Sequence, residues 1–228
     1  MPIPPVGAPC RDEKGLVVSL ALADELFLMS HDLRSGKPRV PEVARGIGLA
    51  AGLLAELVFA GSIVISEERL ARGEYGAPNE RLGKALYDEA RSQMIDVELT
   101  VRGWLSTHRH RVAELVADRL IRSGDLRRVV TRRFGRDVVR YYPTKPPEAL
   151  IRAQRLLSYQ RLRVEMTEPD VVAATLAQLM AQGTRAMDLD AAARDYVAHL
   201  LPTIRPPLWD LLSITESLIL ATMRNPRG

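Results

Sequence analysis

The chain is poor in the features that usually announce chemistry. It has a single cysteine, Cys10, which excludes an internal disulfide and a cysteine-built metal cluster. It has no G-x-S-x-G, no Walker loop, no G-x-G-x-x-G after a strand and no serine tied to a His/Asp arrangement, so nothing supports an enzyme or calls for a cofactor. A run fit to span a bilayer is also missing, because the longest apolar stretch, Ile47 to Ile65, is broken by Glu56, Ser62 and several glycines. The opening MPIPPVGAPCRDEKG offers neither the positive start nor the apolar centre of an export signal. Residues 1–15 therefore read as a disordered leader, and the protein is expected in the cytoplasm.

Lysine is nearly absent as well. Lys14, Lys37, Lys84 and Lys145 are the only lysines, so 28 of the 32 basic residues are arginine. That skew is the mark of a GC-rich bacterial genome, although guanidinium also grips phosphate in a planar fork that an ammonium cannot form. The formal net charge of +4 is too small an excess to imply nucleic acid or a membrane by itself. Distribution decides more than the sum.

What the chain does have is helical periodicity. With 46% hydrophobic residues over 228 positions it can build a sizeable core, expected as one domain over 16–228. Leu22, Leu26 and Met29 share one helical face, and Val43, Ile47, Leu54 and Leu57 share another, which predicts two amphipathic helices packed together. Pro41 suits the first turn of the second helix and Gly61 its left-handed end. The stretch 66–83 reads as a mobile loop or irregular hairpin, followed by a short helix over 86–99. The next helix is expected to be capped by Ser106 and to run to Ser123, with Val112, Leu115, Val116 and Leu120 inward and Gly124 ending it.

Two β-branched runs around a glycine then predict a hairpin from Leu126 to Tyr142. Pro143, Pro146 and Pro147 break the chain before a helix starting near Glu148. Three more helices follow, punctuated by Gly183, Pro202, Pro206 and Pro207. The fold class is thus mainly α, with one or two β-hairpins. AELVFAGSIVI and ADRLIRSGDLRRVV echo each other as helix, glycine and strand, in the manner of winged-helix modules.

Several polar residues invite a functional reading. Asp24 and Glu25 diverge by about 100° on a helix, so they cannot share a substrate proton and are expected to serve the helix dipole instead. Glu56 interrupts an apolar helix and is expected to be buried against an arginine. His108 and His110 point to opposite sides at i, i+2 with no accompanying ligand motif, so no metal is expected. The cluster Arg127, Arg128, Arg132, Arg133, Arg136 and Arg140 leaves three readings open. It solvates a hairpin edge and supports self-association, meets an anionic leaflet at about 1 kcal/mol per cation, or contacts a DNA backbone as a wing.

LALADELFLMSHD followed by LAAGLLAELVFAGSI resembles the Golgi phosphoprotein 3 family, and ELVADRLIRSGDL extends the match, which covers roughly Leu16 to Leu220 in order of elements. The resemblance implies a helical, non-catalytic peripheral membrane protein, here a bacterial member, that binds phosphatidylinositol 4-phosphate. It also implies self-association through the hairpin, assigned to Arg128, Val129, Phe134, Arg136 and Val138. The positions matching the family's headgroup tryptophan and arginines hold Pro41, Ala50, His110 and Ala113, so the family's pocket is not retained side chain by side chain. The family's basic tail motif for coat proteins is missing too, since the leader carries only Arg11 and Lys14. The nearby cations Lys37, Arg39, Arg45, Arg109, His110 and Arg111 remain as a looser site for an anionic phospholipid or phosphoinositide, with Val40 and Pro41 touching the interface. The expected place is the inner face of the membrane. The rival reading is a winged-helix-like DNA-binding or protein-interaction module, contacting its partner through the helix ending at Ser123 and the Leu126 to Tyr142 wing, or a scaffold that self-assembles through that hairpin.

Overall fold

A computed structural model describes residues 21–96, 98–133, 135–182 and 191–224. The predicted leader, Cys10, Gly183 and Phe134 lie outside them. Among the described residues there are nine α-helices, one 3₁₀ turn at Leu201–Thr203 and three two-stranded antiparallel hairpins. The mainly helical expectation holds.

The centre is built from the two segments whose apolar periodicity is strongest. Helix α1 (Leu22–Met29) is buried on every side, its two acidic residues included. Helix α2 (Glu42–Phe59) buries thirteen of its eighteen residues, as a helix apolar nearly all round must. It packs against α1, α4 (Val101–His108), α5 (Val112–Arg122), α7 (Glu168–Met180) and α9 (Pro206–Arg224). Leu26, Phe27, Leu49, Leu54, Trp104, Leu176 and Leu211 are among the side chains that fill the shared core. Helices α3 (Arg81–Asp96), α6 (Pro146–Leu162) and α8 (Ala191–Leu200) lie further out.

Boundaries differ from expectation where a short-range cap outweighs periodicity. Pro41 stands one residue ahead of α2, as its N-cap. Residues 66–83 split into a regular hairpin, β3 (Ile63–Ser66) with β4 (Arg69–Arg72), and the start of α3. There Glu80 accepts hydrogen bonds from Leu82 and Gly83 N–H at 2.9 and 2.7 Å, which begins the helix five residues before Leu86. The helix assigned to a Ser106 cap is two helices. Thr100 caps α4 by accepting from Gly103 N–H at 3.0 Å, and the chain turns at 109–111 before α5.

The repeated helix, glycine and strand pattern has a structural counterpart. Gly61 and Gly124 both have positive φ, 65° and 79°. In each, the glycine N–H donates to the carbonyl three residues back, Val58 or Ile121, at 3.0 Å. The next N–H, of Ser62 or Asp125, donates to Leu57 or Leu120, the double closure of a left-handed helix end. Each helix then leads into a hairpin, β3–β4 in one case and β5 (Leu126–Arg133) with β6 (Arg136–Pro143) in the other.

The acidic pair of α1 does more than favour a dipole. Asp24 Oδ1 accepts from Arg119 Nε at 2.8 Å, and the same guanidinium donates to both oxygens of Glu56 at 2.8 and 3.0 Å. Glu56 also accepts from the Ala23 N–H at 2.8 Å, so its expected burial against an arginine is met by Arg119. Glu25 turns the other way, to Arg155 of α6, at 3.1 and 2.7 Å. Arg155 also reaches Asp170 of α7 at 2.7 Å. Burial works to lower the pKa of Arg119, but Glu56 and Asp24 overcome it and raise it above the ordinary value, so the charge is held.

Removing one partner of such a buried set strands the others. Arg119→Met should lower the free energy of unfolding by about 3–5 kcal/mol, read as a fall in the urea midpoint. The triple change Asp24→Leu, Glu56→Met, Arg119→Met should recover part of that loss, because no charge is then left buried alone.

Candidate functional site

Of the cations singled out in the sequence, Arg45 lies near the start of α2 and the others lie on two connections beside it. The first is a two-residue hairpin, β1 (His31–Asp32) with β2 (Lys37–Pro38), leading on through Arg39. Its turn is held by Asp32, whose carboxylate accepts from Arg34 N–H at 2.9 Å and Ser35 N–H at 3.4 Å. The Arg34 N–H is the main reason that this carboxyl stays below its ordinary pKa. Lys37 and Arg39 are exposed, and Arg39 stands 3.9 Å from Asp32. Pro41 is exposed, whereas Val40 is buried in the core and cannot touch an interface as expected.

The second connection is the turn between α4 and α5. Arg109 Nε donates to His110 Nε2 at 2.9 Å, and Arg111 pairs with Glu89 of α3. The two connections meet through backbone: a Cβ placed on Gly46 would stand 2.1 Å from the Arg109 carbonyl oxygen. Only glycine allows this approach of α2 to the turn. Beside it, Arg45 is half-buried, and its buried Nε has no hydrogen-bond partner among the described residues. Burial lowers its pKa, while Glu42 and Tyr141 oppose the shift.

The six residues thus differ in situation. The Gly46 backbone abuts that of Arg109, while the Arg45 guanidinium has Glu42, Tyr141 and His31 as its charged or polar neighbours. Arg39 carries a long pair to Asp32, and Arg111 is turned toward α3. Aligned Ala50 is fully buried and offers no surface.

The hairpin β5–β6 is eight residues a side and pairs in register from Leu126 with Pro143 to Arg133 with Arg136. Alternation puts Val129, Arg136 and Val138 on one face and Arg128 on the other. The Arg128 face is turned to the body at its base, where Arg128 reaches Glu114 at 3.4 Å and the Tyr141 ring meets Phe27 edge-on at 5.5 Å. Beyond the base the hairpin is exposed, with Val130 at 53%. A Cβ on Gly36 would lie 2.9 Å from the Tyr141 carbonyl oxygen, so the cationic loop is seated on the hairpin's root.

Two histidines sit in this region with apolar surroundings. His108 is fully buried, stacked on Trp104 at 3.8 Å, with Nδ1 2.9 Å from the Trp104 carbonyl and Nε2 3.4 Å from Glu89. Burial lowers its pKa. His31 stacks on Phe27 at 4.2 Å, and burial lowers its pKa from 6.5 to about 4.

Sequence reasoning missed the arginines that complete the charge sets. For Arg119 the signal was present, since it falls in the i+3 and i+7 register after the inward Val116 and Val112. Arg155 had no comparable signal. The relation of the Arg45 and Arg109 segments rests on a backbone approach that pattern does not encode.

The architecture is that of a mainly helical protein carrying short hairpins, and among the described residues no helix is long and apolar enough to cross a membrane. The model of one family, Golgi phosphoprotein 3 (GPP34), matches residues 22–205. The chain belongs to the Golgi phosphoprotein 3 family. No curated protein matches it.

The buried histidines make a pH prediction. His31 is neutral when folded but binds a proton with the ordinary pKa of 6.5 when unfolded, so the unfolded state takes up more protons below that pH. Its contribution to stability is therefore full above pH 6.5 and is lost as the pH falls toward about 4, by up to about 3 kcal/mol. His31→Asn should flatten this part of the profile in urea titrations taken between pH 7 and pH 4.

Proposed function

We propose that this family member is a non-catalytic, peripheral membrane protein that docks reversibly on anionic, phosphoinositide-bearing surfaces at the cytoplasmic face. The docking residues are Lys37, Arg39, Arg45, Arg109, His110 and Arg111. The observation that carries the reading is the backbone approach of Gly46 to Arg109. It brings together the backbones of two segments far apart in sequence, one carrying Arg45 and the other Arg109, and guanidinium forks on both would meet headgroup oxygens. Family membership supports the same reading.

The departures at Pro41, Ala50, His110 and Ala113 favour anionic charge in general over tight selection of one headgroup. Each exposed cation near an anionic leaflet contributes about 1 kcal/mol, and salt screens it. In flotation at low salt the protein should rise with vesicles containing phosphatidylinositol 4-phosphate or phosphatidylserine and not with pure phosphatidylcholine. Changing Lys37 and Arg109 together to Gln should weaken the anionic binding by roughly 30-fold, the equivalent of about 2 kcal/mol. Equal recovery with neutral vesicles would exclude the reading.

So weak a site gains from repetition, because a second copy on the same surface binds at high effective concentration. Self-association is assigned to the outward face of the hairpin, through Val129, Arg136 and Val138, with Arg128 and Phe134 as further members of the set. Deleting residues 129–139 should leave the helical circular dichroism intact and reduce the mass measured by light scattering to that of one chain. An unchanged mass would place self-association elsewhere or remove it.

A further inference from the structure

A groove of about 170 Å³ lies between the β1–β2 hairpin and α6. Its walls are Leu28, Met29, Leu33, Leu150, Ala153 and Leu157 with the buried imidazole of His31 among them, and its mouth carries Asp32, Arg34, Arg39 and Gln154. A cavity of that order accepts a body about the size of benzene, which is a short run of methylenes and not a whole lipid. Arg34 makes no ion pair among the described residues, and Asp32 spends its oxygens on the turn's N–H groups and on a long contact to Arg39. One positive charge is left at the mouth of an apolar slot. The outer rim of α6 continues the apolar surface, with Leu150 47% and Ile151 69% exposed.

Apolar side chains level with one unpaired guanidinium, Arg34, and one loosely paired, Arg39, are what a lipid surface selects, with methylenes below and phosphate at the charge. Building on the docking reading above, we propose that this groove takes the end of a single acyl chain from an anionic amphiphile, whose phosphate pairs with Arg34 and Arg39. Its lining includes neither Gly46 nor Arg109 but shares Arg39 with the docking set, and it adds an apolar anchor to a contact that would otherwise be electrostatic alone.

The probe is octyl phosphate below its micelle concentration, titrated calorimetrically into the full chain. Inorganic phosphate and octyl glucoside serve as controls for head and tail. Octyl phosphate should bind saturably and at least tenfold more tightly than either control. Gln154 is exposed, so Gln154→Trp fills the groove from its rim without touching the core and should reduce that affinity at least tenfold. Arg34→Glu should bring octyl phosphate down to the level of octyl glucoside. Octyl phosphate no tighter than inorganic phosphate, or indifferent to Gln154→Trp, overturns the proposal. So does saturable binding of an acidic peptide with one apolar anchor while octyl phosphate stays inert. Vesicle flotation separates the two readings. If the chain floats with anionic vesicles but octyl phosphate fails, the groove is lost and surface docking stands. If octyl phosphate binds but no vesicle is recruited, the docking reading is lost and the groove stands as a site for free amphiphiles.

Discussion

The structure depends on one guanidinium held out of water. Arg119 lies between Asp24 and Glu56, and its charge is affordable only because both carboxylates and the Ala23 N–H complete the set. The angle between neighbouring helix positions that keeps Asp24 and Glu25 from acting on one proton lets them reach two different helices. Asp24 fixes α5 and Glu25 fixes α6 through Arg155. Helix α1 is thereby clamped from both sides by charge while its apolar residues fill the core. The hairpin bearing Lys37 leaves the end of α1, and the turn bearing Arg109 leads directly into α5. Both cationic connections hang from helices that the same arginine holds in register.

The two partners of that central pair occupy matching places. Glu56 and Arg119 each stand five residues before the left-handed glycine that ends their helix. The two helix and hairpin units therefore face one another through equivalent positions carrying opposite charge. Such an arrangement needs one acidic and one basic residue at the shared site, since like charges there would both be buried without compensation. The hairpins then diverge in use of their length: β3–β4 has four residues a side, while β5–β6 has eight and stands largely free of the body.

Much of this was legible in the sequence because it is local. The apolar period of α1 and α2, the β-branched runs of the long hairpin, and Gly61 and Gly124 as terminators all follow from pattern and propensity. Boundaries set by one side chain were misplaced, as where Glu80 and not the first apolar residue opens α3, or where Thr100 takes the role given to Ser106. Burial was harder still. Val40 follows exposed Lys37, Pro38 and Arg39 yet belongs to the core, because the hairpin turns it inward before α2. The candidate site was the least legible part, for its segments meet through the approach of the Gly46 backbone to Arg109, which no local pattern encodes.

Burial also sorts the arginines into two populations. Arg119 and Arg155 are enclosed by carboxylates whose removal would strand charge, so no ligand can recruit them. Arg39 and Arg111 are also paired, but their side chains are nearly half exposed, and such surface pairs are worth no more than about 1 kcal/mol. An incoming phosphate with two charges competes with a carboxylate of one charge for such a guanidinium, and water and salt lower what must be given up. The acidic neighbours of the proposed docking residues therefore orient those cations without consuming them. The same chemistry that fixes the core in one place leaves an exchangeable contact in the other, and the difference between them is access to water.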